Sequence, residues 1–191
     1  MKKYYTSKPD ELKEAWPGAF TGIEGSWHAA VIDLPSPLFV ATSWKSNGKE
    51  NACMQSTAAF SGAHGNYTCI LGWVNTNGHF YQSLKETNCC VLNFFTADIK
   101  DKCFDTIKNN GFDTNEITAS GLTAEDAENV NAPRIKECFL NIECEYLWEH
   151  ELNPGDSSLA VVALKTVGIC INDEYYNAKD KKGWLEWSTW Q

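Results

Sequence analysis

Apolar residues in this chain fall in short alternating runs separated by turn residues, and that pattern predicts strands more often than helices. Between positions 138 and 146, Cys138, Leu140, Ile142, Cys144 and Tyr146 alternate with Asn141, Glu143 and Glu145. This spacing predicts an antiparallel strand with one buried face and its acidic positions turned to solvent. Residues 27–33 and 38–44 are β-rich runs divided by Pro35, Ser36 and Pro37, whose prolines cannot donate ladder hydrogen bonds. Asn47-Gly48, between Ser46 and Lys49, predicts a tight hairpin, because both residues tolerate positive φ. The second arm is expected over 50–59, followed by a loop at 61–65 and a long strand over 66–74.

Residues 75–78 break the pattern; a short helix over 80–87 and a strand over 89–95 follow. The spacing predicts a helix over 96–108, with Thr96 as N-cap, Asp98 in the first turn, Ile99, Cys103 and Ile107 on the inner stripe, and Gly111 beyond its end. Residues 121–126 read as a second, shorter helix start, with Pro133 closing the irregular stretch after it. Beyond the turn at 153–156, residues 158–171 suffice for a bent strand. The expectation is a mainly β, antiparallel barrel of roughly seven strands with peripheral helices. We expect a single domain over 1–191: an irregular lead-in with a short helix near 10–16 (1–25), the barrel and its helices (26–172), and a Trp-rich tail (173–191).

Charge narrows the function. Sixteen Lys and Arg against 25 Asp and Glu give a net charge of −9, without the clustered basic footprint of a nucleic-acid binder. No apolar run approaches the ~20 residues of a membrane span, so no membrane association and a cytoplasmic location are expected. The eight cysteines include no CxxC and no zinc-like Cys/His spacing, and read as small buried hydrophobes rather than metal ligands. A secreted β-module held by disulfides is the alternative. Eight Trp suit a subunit interface or a planar ligand as well as a core. Trp184, Trp187 and Trp190 share one face of a predicted C-terminal helix, expected to dock on the barrel or on a partner subunit, with a lid over a ligand second and a membrane-surface anchor third.

Side-chain catalysis finds no home. GxSxG, HExxH, P-loop and GxGxxG patterns are absent, and His28, His64, His79 and His150 are scattered. No catalytic side chain is assigned, which favours a cofactor that brings its own chemistry. The strand, Gly-containing loop, helix and strand across 66–95 place a helix N-terminus where a phosphate could bind.

The order of several stretches resembles the flavin reductase-like, FMN-binding split-barrel family, its flavoredoxin branch in particular. The likeness covers roughly residues 31–172. It is carried by Pro37-Leu38-Phe39-Val40-Ala41-Thr42 with Asn47-Gly48-Lys49-Glu50-Asn51-Ala52, then Ser83-Leu84-Lys85-Glu86-Thr87 with Cys90-Val91-Leu92-Asn93-Phe94. Thr118-Ala119-Ser120-Gly121-Leu122-Thr123 follows, and then Ala132-Pro133-Arg134-Ile135-Lys136-Glu137-Cys138 runs into Ile142-Glu143-Cys144-Glu145.

The resemblance implies an antiparallel split β-barrel that binds FMN non-covalently. It lays Asn51, Ala52, Cys53, Met54, Gln55, Ser56 and Thr57 along the isoalloxazine ring. There Cys53 and Met54 offer polarizable surface, while Gln55, Ser56 and Thr57 offer hydrogen bonds. It assigns the phosphate to the loop carrying Asn75, Asn77, Gly78, His79 and Phe80. The family's basic or hydroxylated run is replaced by Gly78, His79 and Phe80, so a phosphate would rest on Asn77, His79, backbone amides and Lys85. The implied protein is a homodimer doing redox chemistry at flavin N5, with NAD(P)H or an iron–sulfur protein as electron partner. The alternative is an FMN or planar-ligand binding module without turnover.

Overall fold

A computed structural model describes residues 2–4, 6–7, 36–63 and 65–176. The chain divides into two compact units, Met1–Ser36 and Pro37–Gln191, and every element below belongs to the second. The lead-in helix, the strand over 27–33 and the Trp-rich tail from 177 onward lie outside the described residues.

The Asn-Gly turn forms as its chemistry demands. Gly48 sits at φ 75°, and its N–H donates to the Lys45 carbonyl at 2.8 Å. It joins β1 (Phe39–Trp44) to β2 (Glu50–Gln55), paired from Trp44–Glu50 to Phe39–Gln55. Beyond Gln55 the chain has run past the start of β1 and leaves it. Ser56 and Thr57 carry it to β3 (Ala58–Ala63), which turns into β4 (Asn66–Asn75). Then come α1 (His79–Thr87), β5 (Cys89–Phe94), a 3-10 turn (Ala97–Ile99), α2 (Lys100–Lys108) and α3 (Glu116–Ala119). A small ribbon of β6 (Ala124–Asp126) and β7 (Pro133–Ile135) precedes the long hairpin β8 (Leu140–Asn153) and β9 (Asp156–Ile171).

The main sheet has seven strands in the order β2-β1-β5-β8-β9-β4-β3, every pairing antiparallel. Its two edge strands, β2 and β3, are consecutive in sequence, so the two-residue link, spanning at most about 10 Å, draws the edges together. The sheet must curl, yet its edges do not pair. This is an antiparallel split barrel.

Alternation along β1 serves two cores. Phe39 and Ala41 face the barrel interior with Leu71, Leu92, Val162 and Leu164, where Phe80 and Leu84 of α1 also pack. Val40 faces outward into a second cluster with Ile99, Cys103, Ile117, Leu122 and Ile135, covered by α2, α3 and β7. All eight cysteines are free, and all but Cys53 and Cys170 are buried, as small hydrophobes would be.

Several expectations are corrected. The arm expected over 50–59 is two strands on opposite edges of the sheet, and residues 61–63 extend β3 instead of forming a loop. The helix over 96–108 begins as a 3-10 turn. Its three-residue period shifts the stripe, so Thr106 is buried beside Cys103 while Ile107 is 51% exposed. The Thr96 hydroxyl bonds the Asp98 carboxylate rather than a backbone amide, so it makes no capping bond. Gly121, at φ 72°, follows α3 rather than opening a helix, and 124–126 form β6. Pro133 begins β7, opposite Asp126.

The largest correction concerns β8, where the 124–135 segment covers the supposed solvent face. Asn141 donates to Asn93 Oδ1 at 2.8 Å, and the same oxygen accepts the Ile135 N–H at 2.8 Å. Glu143, only 2% exposed, accepts the N–H groups of Glu128 (2.9 Å) and Asn129 (2.7 Å) and the Asn129 side-chain amide (2.8 Å). Burial alone would raise its pKa, but these donors, with Arg134 nearby, hold it below the ordinary 4.5. Because the folded pKa is the lower one, the stabilisation is present above about pH 4.5 and is lost as pH falls through the folded value. We expect urea midpoints to drop on acidification below that pH, and Glu143→Gln to lower the midpoint at neutral pH while flattening the acid limb. Equal acid sensitivity in both proteins would refute the assignment.

Candidate functional site

The open seam of the barrel begins on β2. In an antiparallel pair successive residues point their backbone groups alternately toward and away from the partner strand. The N–H groups of Glu50 and Ala52 point away from β1, and α3 with its lead-in takes both. Asn115 Oδ1 accepts the Glu50 N–H at 3.1 Å, and Glu116 Oε2 accepts the Ala52 N–H at 2.7 Å. Glu50 reciprocates, accepting the Thr118 N–H and hydroxyl at 2.9 Å. The next outward amide, that of Met54, lies past this cover and faces the seam.

The cover is held by a buried ion pair. Lys45 (3% exposed) and Glu116 (0%) meet at 2.8 Å. Lys45 Nζ also donates to the carbonyls of Gly111 (2.6 Å) and Thr114 (2.7 Å), and Glu116 Oε1 accepts the Gly111 N–H at 3.3 Å. His79, the first residue of α1, brings Nδ1 to 3.8 Å from Glu116 Oε1 and 3.1 Å from Asn110 Oδ1, against the edge of Phe112. Lys45, Ser83, Gln82, Glu86, His79 and Phe112 line a shallow cleft there. The first half of β2 and the start of α1 therefore meet at Glu116, which reaches both Ala52 and His79.

The opposite end of the seam is closed by β4. The Gly72 N–H donates to the Thr57 carbonyl at 2.8 Å. A Cβ on Gly72 would lie 2.8 Å from Thr57 Cγ2, so only glycine permits this approach. Trp73 follows in the left-handed region at φ 58°, in a β-bulge between Leu71 and Val74, and is 56% exposed. That conformation costs a side-chain-bearing residue about 1–2 kcal/mol.

The predicted residues divide accordingly. Asn51 and Ala52 are buried within β2, the Asn51 amide donating to Ser43 Oγ at 3.2 Å. Cys53 packs on the interior core, and Met54 on the outer one. The Gln55 amide donates to Cys53 Sγ at 3.3 Å. Burial, opposed by that hydrogen bond and reinforced by the Glu116 charge, pushes the Cys53 thiol up, so it stays protonated at neutral pH. Ser56 and Thr57 are exposed at the corner. Asn75 shapes the loop: its side chain accepts the Asn77 N–H at 2.9 Å and its carbonyl the Gly78 N–H at 3.0 Å. Gly78 is the N-cap of α1 and makes no side-chain cap, which leaves first-turn amides for a ligand. Phe80 is buried in the interior core.

Lys85 is not brought to this seam. It lies six residues along α1 from His79, about 9 Å, where it bonds the Tyr146 hydroxyl (3.0 Å) and Glu149 (3.3 Å). Sequence reasoning missed Lys45, Glu116 and Trp73. Only Trp73 carried a signal, a lone Gly before it inside an apolar strand. Among the described residues no group of three His, Cys, Asp or Glu side chains is placed to hold a metal, and no helix is long and apolar enough to cross a membrane.

Residues 32–184 match the family model of the flavin reductase like domain. The chain belongs to the flavin reductase-like family. Solved structures share the fold of this member. A split-barrel protein assigned as a flavin reductase, from Shewanella frigidimarina, superposes with a TM-score of 0.72 at 17% identity, covering 91% of this chain and 84% of that one. The flavoredoxin of Desulfovibrio vulgaris (Miyazaki F) does so with a TM-score of 0.65 at 14% identity, over 75% and 74%. An uncharacterized protein of Methanothermobacter thermautotrophicus is 30% identical over 100 residues, 51% of this chain and 46% of that protein. The match thus spans about half the length of that relative.

The Lys45–Glu116 pair yields a stability prediction. Removing one partner leaves the other charge buried without its counter-ion, at a cost of roughly 3–5 kcal/mol. Glu116→Ala should lower unfolding free energy by about that amount in denaturant titrations, whereas Asp105→Ala, at the exposed Lys108 pair, should cost only a small fraction of it. Similar losses for the two would contradict the clamp.

Proposed function

We propose that this protein binds FMN non-covalently along the seam and passes electrons through it. One observation carries the reading: Glu116 reaches both the Ala52 amide of β2 and His79 at the uncapped start of α1, so the strand that runs on to the exposed Ser56 and Thr57 passes beside that helix N-terminus. Two to five residues of strand separate Ala52 from Met54 and Thr57, about 7–17 Å, a length suited to a flavin ring and its ribityl phosphate. In this reading the Met54 amide and the Gln55, Ser56 and Thr57 side chains hydrogen-bond the polar edge of the ring. Asn51, Ala52 and Cys53 supply the strand that carries them. Asn77, His79 and the first-turn amides of α1 hold the phosphate, with Gly78 letting the loop close on Asn75. When bound, the flavin supplies the hydride and electron chemistry. The protein's share is to orient it, exclude water from one face with the barrel wall, and keep Cys53 a neutral bystander. The partners we assign are a second copy of the chain and a transient donor, either a nicotinamide or a reduced iron–sulfur protein.

A second reading, a flavin-binding module without turnover, is favoured by one feature. The only imidazole at the described seam, His79, is engaged with Asn110. Anaerobic reduction of the bound flavin by NADH or NADPH would speak against it.

Visible absorbance of the purified protein, with identification of the released chromophore, tests the main reading: a yellow protein releasing FMN is expected. A colourless protein that also takes up no added FMN would overturn it. His79→Ala should weaken FMN by about tenfold, the size of one hydrogen bond to a charged group, and leave riboflavin nearly unchanged. Equal losses would remove His79 from the phosphate site.

A further inference from the structure

We propose that Trp73 stacks on the flavin ring and forms the outer face of its site, an inference that rests on the seam reading above. Trp73 is held by a backbone that does not suit it. Its φ of 58° lies where side-chain-bearing residues are uncommon, and with its indole 56% exposed, the strain brings little burial in return. Strain of this kind persists where surrounding structure imposes it, and it concentrates at ligand sites.

The surrounding structure is identifiable. Gly72 is pinned to the Thr57 carbonyl at 2.8 Å, and the bulge between Leu71 and Val74 then turns the following residue outward. Trp73 Cα is thus one peptide, about 3.8 Å, from the residue bonded to the proposed ring strand. On β9, the half-buried Val161 lies between Ala160 and Val162, the residues opposite Val74 and Leu71, so the neighbouring strand sets an aliphatic residue against the bulge. An exposed indole next in the chain to Gly72, which bonds the exposed corner of Ser56 and Thr57, matches a planar heterocycle with one polar edge. The hydroxyls and the Met54 amide would take the edge, and the indole the face.

Trp73→Gly separates stacking from folding, because glycine accepts φ near +60° without strain. Its melting temperature should be unchanged or higher. Its affinity for FMN and riboflavin should fall alike, by about fivefold or more, since stacking acts on the ring and not the phosphate. Trp73→Phe should recover part of that loss, and flavin titration should quench less tryptophan fluorescence in Trp73→Gly than in wild type. If wild type binds flavin and Trp73→Gly binds it equally well, this inference falls while the seam reading stands. A loss of affinity that appears only with dissociation of the oligomer in sedimentation would assign Trp73 to a subunit interface and overturn it too. A wild type that binds neither flavin removes both readings.

Discussion

The two-residue link between β2 and β3 is the constraint on which the rest of the molecule depends. Consecutive strands usually pair as neighbours, but here they stand at opposite edges of a seven-stranded sheet. Ser56 and Thr57 are too short to let those edges separate, so the sheet rolls up on itself. With the edges joined by a corner and not by a ladder, a seam is left whose backbone groups need other partners. An unpaired edge is ordinarily a liability for aggregation. Among the described residues α3 and its lead-in cover the first part, at Glu50 and Ala52, and the proposed site is assigned to the part beyond.

The covering is electrostatic and costly to build. Glu116 is taken out of water beside Lys45, and the pair is tolerable because both carboxylate oxygens and the ammonium have further backbone partners at Gly111, Thr114 and Ala52. Such a clamp adds little net stability over an apolar filling. It does set position, fixing α3 on β2 at Ala52 so that the cover stops before Met54. Asn93 does comparable work on the other side of β1. It donates to the Val40 carbonyl at 2.8 Å, and its Oδ1 accepts from Ile135 and Asn141, which straps β7 over the sheet. Glu116, Asn93 and Glu143 are thus buried polar groups that set register, each held by several hydrogen bonds.

The seam also explains why one barrel can be both rigid and receptive. Its interior is filled by Phe39, Leu71, Leu92 and Leu164 and plugged by α1, so no ligand enters the barrel itself. The proposed flavin site therefore lies on the surface seam, beside the left-handed Trp73 and the close approach of Gly72 to Thr57.

Much of this was legible along the chain. Alternating apolar positions predicted the strands, Asn47-Gly48 the first hairpin and the 75–78 break the start of α1, because these depend on local backbone preference and on which side of a strand is oily. The family order of stretches pointed to residues 51–57 and 75–80 without showing that they meet. What only the tertiary structure decided is long-range pairing: that residues 50–59 split between two edges, that Glu143 and Asn141 lie under the β6–β7 ribbon instead of in water, and that Lys45 finds Glu116 across 71 positions. Lys85 is drawn to Tyr146 and Glu149 for the same reason. A periodicity says that a face is buried or exposed relative to its own strand, but not what the rest of the chain lays over it. Burial of a charge depends on that second layer, and so does the seam.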